Sequence, residues 1–218
     1  MFCRRSSPPI SFIVLILLAV FSLPIQAATF IVTNMNDSGP GSLRQAVLDA
    51  NANEDAGTIV FSPAVTGIIT LTSGEISINN AVTITGPGAS VLAVSGNKAS
   101  RIFKILGGNI LGPGGSLVIE GLTLQEGSAD NGGAIYNSFG SVTLNNSQLS
   151  GNKAAQSGGG LYSYGGRVTV NNSTVSNNVS AGGGDPPFGG GGIHNKDGFV
   201  TVSNSTLSGN SAQGNSSG

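Results

Sequence analysis

Cysteine, tryptophan and histidine are nearly missing from this chain, and each shortage excludes a class of site. Among its 218 residues there is no Trp, one cysteine (Cys3) and one histidine (His194). Disulfide frameworks and Cys/His zinc sites need several such residues, so neither organises this protein. Only 9% of the residues are charged, whereas 35 are glycine. Because Val, Ile and Leu nevertheless recur at regular intervals, the composition indicates an ordered fold with many tight turns.

Clustered positive charge is also missing. The chain has nine Lys or Arg and ten Asp or Glu; without Arg4 and Arg5, seven basic residues (9 − 2) leave a net charge of −3 (7 − 10). Nucleic-acid binding depends on a basic patch or stripe. We therefore expect no nucleic-acid partner.

The first 27 residues have the pattern of a Sec-type signal peptide. Arg4 and Arg5 precede an apolar run of 12 residues (10–21), and small residues follow as far as Ala27. A membrane-spanning helix needs about 20 apolar residues, so a cleaved signal is favoured over an uncleaved anchor. Cys3 lies ahead of the apolar run and is not placed as a lipoprotein cysteine. We expect an exported protein, located outside the cell or on the outer membrane surface.

The stretch from Gly132 to Asn210 contains the same pattern three times. Each copy has a Gly-Gly pair with an aliphatic residue after it, an alternating apolar and polar segment, and a Ser-Gly-Asn or Ser-Asn-Asn end. The spacing is 26 residues from Leu144 to Val170 (170 − 144) and 32 from Val170 to Val202 (202 − 170). The six additional residues fall in a Gly/Pro-rich loop at 181–189. Periods of about 20 to 50 residues are typical of solenoids.

The alternation within each copy has a period of two, which indicates strands rather than helices. We predict an all-β fold, a right-handed parallel β-helix with three short strands per copy. Equivalent side chains then form columns along the axis. The columns predicted to point inward are Ile135/Leu161/Ile193, Leu144/Val170/Val202 and Leu149/Val175/Leu207, and the column predicted to point outward is Thr143/Thr169/Thr201. Asn146, Asn172 and Asn204 are predicted to form a hydrogen-bonded amide ladder at one corner.

A helix is predicted at Ser42–Ala50, where Ser42 is a natural N-cap and the apolar residues share one face. A short amphipathic helix at this place covers the first coil of a solenoid. We therefore expect three segments: a signal peptide (1–27), an N-terminal strand with a capping helix (28–66), and β-helix repeats (67–218). Less regular coils begin near Ile68, and Ser116–Leu124 aligns with Ser141–Leu149 at a spacing of 25 (141 − 116).

No capping element follows the last repeat before Gly218. An uncovered coil presents open backbone groups and apolar side chains. We expect that the chain is a fragment, or that its last coil is covered by a partner or by self-association.

Residues 37–47 read DSGPGSLRQAV and are followed by DANAN at 49–53 and TIVF at 58–61. This leader resembles that of bacterial surface proteins with a CSLREA-type domain, with Gly41 and Gln45 where that family has cysteine and glutamate. The Gly-Gly-Ala-Ile units with Ser-Gly-Asn downstream are similar to the repeats of chlamydial polymorphic outer membrane proteins and of other pectin-lyase-like β-helices. These resemblances imply an exported, surface-displayed and often adhesin-like β-helix, and they imply no catalytic residues.

His194 aligns with Tyr136 and Tyr162 in an outward column. The favoured interpretation is that the planar His194 side chain stacks on the two tyrosines. The alternative is that the column forms a surface against which sugar rings stack. Tyr136, Tyr162 and His194 are therefore the candidate ligand-binding residues. Surface glycans, or other host or environmental ligands, are the partners that this alternative predicts.

The rival hypothesis is a polysaccharide lyase or hydrolase of the pectin-lyase-like fold, which would need clustered carboxylates. The repeat stretch has only Asp185 and Asp197 as acids, with Asp130 just ahead, and none recur at equivalent positions. We therefore predict a structural or adhesive module rather than an enzyme, without catalytic residues, metal or cofactor. The loop segment Asp185–Phe188 is interpreted as a tolerated insertion in preference to a binding loop.

Overall fold

The computed structural model describes residues 28–53, 55–107, 115–182 and 189–213. The predicted signal peptide (1–27), the loop segment Asp185–Phe188 and the end of the chain at 215–218 lie outside the described residues. Predictions about those segments stay predictions.

The described chain begins with a strand and a helix and then winds into coils. The leader consists of β1 (Ala28–Val32) and α1 (Leu43–Ala52). Two coils with three strands each follow: β2 (Gly57–Phe61), β3 (Gly67–Thr70) and β4 (Ile76–Ile78), then β5 (Ala81–Thr85), β6 (Leu92–Ser95) and β7 (Phe103–Leu106).

The next three coils have four strands each. They are β8 (Ser116–Glu120), β9 (Thr123–Gln125), β10 (Ser128–Asn131) and β11 (Ile135–Ser138); β12 (Ser141–Asn145), β13 (Gln148–Ser150), β14 (Lys153–Ser157) and β15 (Leu161–Tyr164); and β16 (Arg167–Asn171), β17 (Thr174–Ser176), β18 (Val179–Ser180) and β19 (Ile193–Lys196). The last described coil contains β20 (Phe199–Ser203), β21 (Thr206–Ser208) and β22 (Ser211–Ala212).

Equivalent strands of successive coils pair in parallel and build four sheets. Sheet A contains β1 and the first strand of every coil, sheet B the second strand, and sheet C the last strand from β4 to β19. Sheet D contains β10, β14, β18 and β22. The predicted all-β parallel β-helix is confirmed. A right-handed winding is the sense that crossovers between parallel strands favour.

The number of strands per regular coil differs from the prediction: it is four, not three. The strand that was missed belongs to sheet D, for example β14 with the sequence KAAQS. It contains no β-branched residue and no regular apolar alternation, so its sequence gives little strand signal. Pairing with the neighbouring coils, rather than intrinsic propensity, places this segment in a sheet.

The predicted inward columns form the core. Leu144 pairs with Val170 and Val170 with Val202, and the column extends backward through Ile119 and Ile84. The remaining two columns show the same one-to-one pairing. Ile135 pairs with Leu161 and Leu161 with Ile193; Leu149 pairs with Val175 and Val175 with Leu207. The members of these columns as far as Val175 are buried, whereas Val202 and Leu207 in the last described coil are 44% and 50% exposed. Coverage of that apolar end by a partner or by self-association stays a prediction.

The predicted ladder of Asn146, Asn172 and Asn204 is wrong in its hydrogen bonds. These three residues have φ values of 48°, 47° and 46°, and their side chains are exposed. Within the described part of the chain, no side-chain hydrogen bond joins them. They turn the chain between sheets A and B, because asparagine tolerates the left-handed conformation.

The amide ladder lies instead at the corner between sheets B and D, where Asn152, Asn178 and Asn210 stack. Asn152 Nδ2 donates to Asn178 Oδ1 (2.9 Å), and Asn178 Nδ2 donates to Asn210 Oδ1 (3.0 Å). Each Nδ2 also donates to a backbone carbonyl of the preceding coil, and each of the Asn178 and Asn210 amide oxygens also accepts a backbone N–H. Asn152 and Asn178 are 1% and 0% exposed. Because these buried amide groups are hydrogen-bonded to adjacent coils, they favour a single register of the coils.

Helix α1 covers the start of the solenoid, as predicted. The hydroxyl of Ser42 accepts a hydrogen bond from the backbone N–H of Gln45 (3.1 Å), which makes it the N-cap. The buried face of the helix packs against β1, β2, β4 and β5. Asn51 bonds to the backbone of Ser77 and of Asn79 beside β4, the edge strand of sheet C. The helix therefore protects an edge that would otherwise be open.

An ion pair fastens the leader to the first coil. Arg44 Nη2 lies 2.8 Å from Asp37 Oδ1, and the other carboxylate oxygen accepts from Thr72 Oγ1 and from the backbone N–H of Ser73. Burial raises the pKa of Asp37, but the hydrogen bonds from Ser73, Arg44 and Thr72 and the charge of Arg44 outweigh it and lower the pKa from 3.8 to about 2. The folded state therefore favours the ionised carboxyl.

Leu144→Asp tests the inward assignment. The substitution places an unpaired charge in the buried column and is expected to lower the free energy of unfolding by about 4 kcal/mol. Thr143→Asp, one residue earlier and pointing outward, is the control and should cost about 1 kcal/mol or less. Denaturant titration followed by circular dichroism measures both. Equal losses in the two variants would contradict the assignment.

Asp37→Asn tests the contribution of the Asp37–Arg44 ion pair through the pH dependence of the free energy of unfolding. Because the pKa of Asp37 is lower in the folded state, its stabilising contribution is present above pH 4 and is lost as the pH falls toward 2. The variant should lose about 1 to 2 kcal/mol at neutral pH and show a shallower loss of stability below pH 4. Asp49→Asn controls for the removal of one exposed carboxylate of α1. If the native protein and the Asp37 variant lost stability over the same pH range and to the same extent, the stabilising role of the ion pair would be refuted.

Candidate functional site

The outer face of sheet C carries the three residues that the sequence predicted. Strand pairing places Tyr136 beside Lys104 on one side and Tyr162 on the other, and Tyr162 beside His194. We call Tyr136, Tyr162 and His194 the aromatic column. All three side chains are half-buried.

The rings of the aromatic column stack on one another. The centroids of Tyr136 and Tyr162 are 5.4 Å apart with an interplanar angle of 11°, and those of Tyr162 and His194 are 5.2 Å apart at 12°. Strands in register are spaced about 4.8 Å apart, so planar side chains at equivalent positions meet face to face. The stacked rings cover the faces that they turn toward each other, and all three residues remain partly exposed. The column therefore offers hydrogen-bonding edges to a ligand rather than open stacking faces.

Charged groups fix the first end of the column. The guanidinium of Arg101 lies 5.0 Å from the centroid of the Tyr136 ring. Its Nη2 donates to the Asn131 carbonyl (2.9 Å), and it forms an ion pair with Glu75, which also lies 3.5 Å from Lys104 Nζ. At the other end, a Cβ added at Gly189 would clash with the imidazole of His194. The backbone therefore approaches His194 closely.

Tyr162 and His194 are uncharged at neutral pH. Burial raises the pKa of Tyr162, and electrostatic repulsion from the nearby acidic groups of Tyr136, Tyr164 and Asp197 raises it further. Burial lowers the pKa of His194 below 6.5, and the charge of Lys196 lowers it further. Tyr162 thus keeps its phenolic proton and His194 stays neutral, so these side chains present hydroxyl and imidazole hydrogen-bonding groups.

A second outward column on sheet C escaped the sequence analysis. It contains Tyr164, which pairs with Ser138 and Lys196; the Lys196 Nζ lies 5.7 Å from the Tyr164 ring centroid. The ring of Phe139 meets that of Tyr164 edge-on, with centroids 5.0 Å apart at 72°. The period of two was the signal that could have revealed this placement, because Tyr164 follows Tyr162 by two residues on the same strand.

No family model, no curated protein and no solved structure matches this chain. The resemblance of the leader and the repeats to CSLREA-type surface proteins and polymorphic outer membrane proteins therefore stays a prediction.

The three candidate carboxylates of the rival hypothesis do not form a described cluster. Asp130 lies in β10 of sheet D, whereas Asp197 lies two coils later, in the turn between β19 and β20. Asp185 lies outside the described residues. Within the described ranges, no group of three or more His, Cys, Asp or Glu side chains is arranged to hold a metal ion. The same ranges contain no helix long and apolar enough to cross a membrane.

Proposed function

We propose that this protein is an exported, surface-displayed β-helix with a structural or adhesive role, and that the outer face of sheet C binds glycans. The observation that carries the proposal is the aromatic column, a row of stacked rings that bear polar groups on one face of a parallel sheet. Its surroundings support it, because Lys104 and Lys196 add further hydrogen-bond donors on the same face.

The chemistry of the face suits polyhydroxylated ligands. Tyrosine combines an apolar ring with a hydroxyl that donates and accepts, and such side chains are favoured at binding surfaces. Stacking also holds the rings in place before a ligand arrives, so little side-chain entropy is lost on binding. A solenoid repeats such groups at intervals along an extended face, which matches a chain-like ligand.

Export rests on the sequence of residues 1–27, and the adhesive role rests on the resemblance of leader and repeats to bacterial surface proteins. The proposal of export requires a fold that is stable without disulfide bonds, and the packing of the described coils supports it. Apolar columns and fully bonded buried asparagines span successive coils and take the place of covalent links.

Tyr162→Phe tests the glycan-binding face with the stack left intact. The variant loses the hydroxyl but keeps the ring, so we expect binding on a neutral glycan array to weaken by roughly fivefold, with an unchanged melting temperature. Thr143→Ala, on the outer face of sheet A, is the matched control and should bind as the native protein does. Failure of the native protein to bind any glycan would overturn the proposal.

Turnover is measured on the same material. Any bound polysaccharide is incubated with the protein, with and without Ca²⁺, and assayed for unsaturated products and new reducing ends. The proposal predicts binding without products. Product formation would instead support the lyase or hydrolase hypothesis and direct attention to Asp130, Asp185 and Asp197.

A further inference from the structure

A groove of about 330 Å³ lies at the corner where sheet C ends and sheet A begins. Its floor is formed by glycine backbone and by Ser116 and Ser141, the latter paired with Arg167 on the next strand. Phe139 and Phe199 also line the groove. We call this site the corner groove.

The corner groove is lined by glycines because there is no space for side chains at these positions. A Cβ added at Gly166 would contact the Gly140 carbonyl, and a Cβ added at Gly165 would clash with the ring of Phe139. Glycine at these positions permits the close approach of successive turns. Gly140 and Gly166 are buried, whereas Ser116 and Ser141 are partly exposed, so a ligand in the groove can reach the serine hydroxyls.

Phe139 occupies a conformation that rarely suits a bulky residue. Its φ is 59°, in the left-handed region, and the equivalent positions of the next two coils hold Gly165 (64°) and Asp197 (57°), which tolerate that region better. The side chain of Phe139 is nevertheless 55% exposed, so core packing does not account for it. Backbone strain retained for the sake of an exposed aromatic ring points to a binding role.

Arg167 adds a positive charge to the same groove. Its side chain is exposed, and the guanidinium lies 5.5 Å from the centroid of the Phe199 ring. Among the described residues, Arg167 forms no ion pair, and its side chain donates no hydrogen bond. Asp197 lies in the next turn of this corner but does not pair with it. The guanidinium fork is thus available for a carboxylate or a sulfate.

We propose that the corner groove binds an acidic sugar, whose ring lies against Phe139 and whose carboxylate or sulfate pairs with Arg167. Ser116 and Ser141, with hydroxyl oxygens 3.4 Å apart, supply hydrogen bonds to the sugar hydroxyls. Unlike the aromatic column, the groove offers exposed ring surface for stacking. This proposal rests on the proposed function for its class of ligand, a carbohydrate. It adds a second binding site and a preference for sugars that carry a negative charge.

Calorimetric titration of the purified protein with lactose, sialyllactose and sulfated lactose tests whether the groove prefers sugars that carry an anionic group. Sialyllactose carries a carboxylate and sulfated lactose a sulfate, so these two arms distinguish the sources of the anionic group. At least one of them should bind roughly tenfold or more tightly than lactose, with an affinity that falls as salt is added. Equal binding of all three sugars, or no binding of the acidic ones, would overturn the proposal.

Variants at two positions test the site. Arg167→Gln should weaken binding of the acidic sugar by roughly ten- to a hundredfold, and Arg167→Lys less, since the charge remains without the fork. Phe139→Asn keeps a residue that tolerates the left-handed turn, as Asn146 and Asn172 do here, but removes the ring. It should preserve the melting temperature and weaken binding roughly tenfold, and Phe139→Tyr should restore binding. Full affinity in Arg167→Gln or in Phe139→Asn would contradict the assignment.

Tyr162→Phe separates this inference from the proposed function. It alters the aromatic column alone, so it should leave binding of the acidic sugar unchanged. Arg167→Gln should likewise leave neutral glycan binding unchanged. Loss of acidic-sugar binding in Tyr162→Phe would place that ligand on the aromatic column and refute the groove.

Discussion

The hydrogen bonds between Asn152, Asn178 and Asn210 are the constraint on which the rest of the structure depends. The buried amides of Asn152 and Asn178 each bond to the coil before and to the coil after. A shift of one residue in any of the coils that the ladder joins would leave several buried donors and acceptors without partners, which costs far more free energy than the loss of a surface contact. The apolar columns prefer the same register, because a one-residue slip would also turn them outward. Together they allow one alignment of the coils.

That alignment determines the surface as well as the core. Equivalent residues meet about every 4.8 Å, so planar side chains on sheet C must stack, and threonines on sheet A form an outward row. Places where one coil departs from the repeat then become chemically distinct. Phe139 stands where the next coil has Gly165, and Arg167 stands where the preceding coil has Ser141. Both departures fall at the same corner, and they create the groove.

The sequence predicted what the repeat itself encodes. The period of two identified Leu144, Val170 and the other inward columns, and the N-cap pattern identified the helix that starts after Ser42. It did not predict the strands of sheet D, because Lys153–Ser157 acquires its extended conformation from neighbouring coils. It also assigned the amide ladder to Asn146, since exposed and buried asparagines look alike in sequence. The corner groove escaped notice because its residues come from separate turns that only the winding brings together.

Exchange of the asparagine side-chain amide protons with solvent tests this account most directly. Isotope-edited NMR resolves the NH₂ groups of Asn178, inside the ladder, and of Asn172, at an exposed turn. The account predicts slow exchange at Asn178 and Asn152, because their amides are buried and bonded to adjacent coils, and rapid exchange at Asn172 and Asn146. Equally rapid exchange at all four residues would contradict the claim that the buried amide ladder fixes the stacking of the coils.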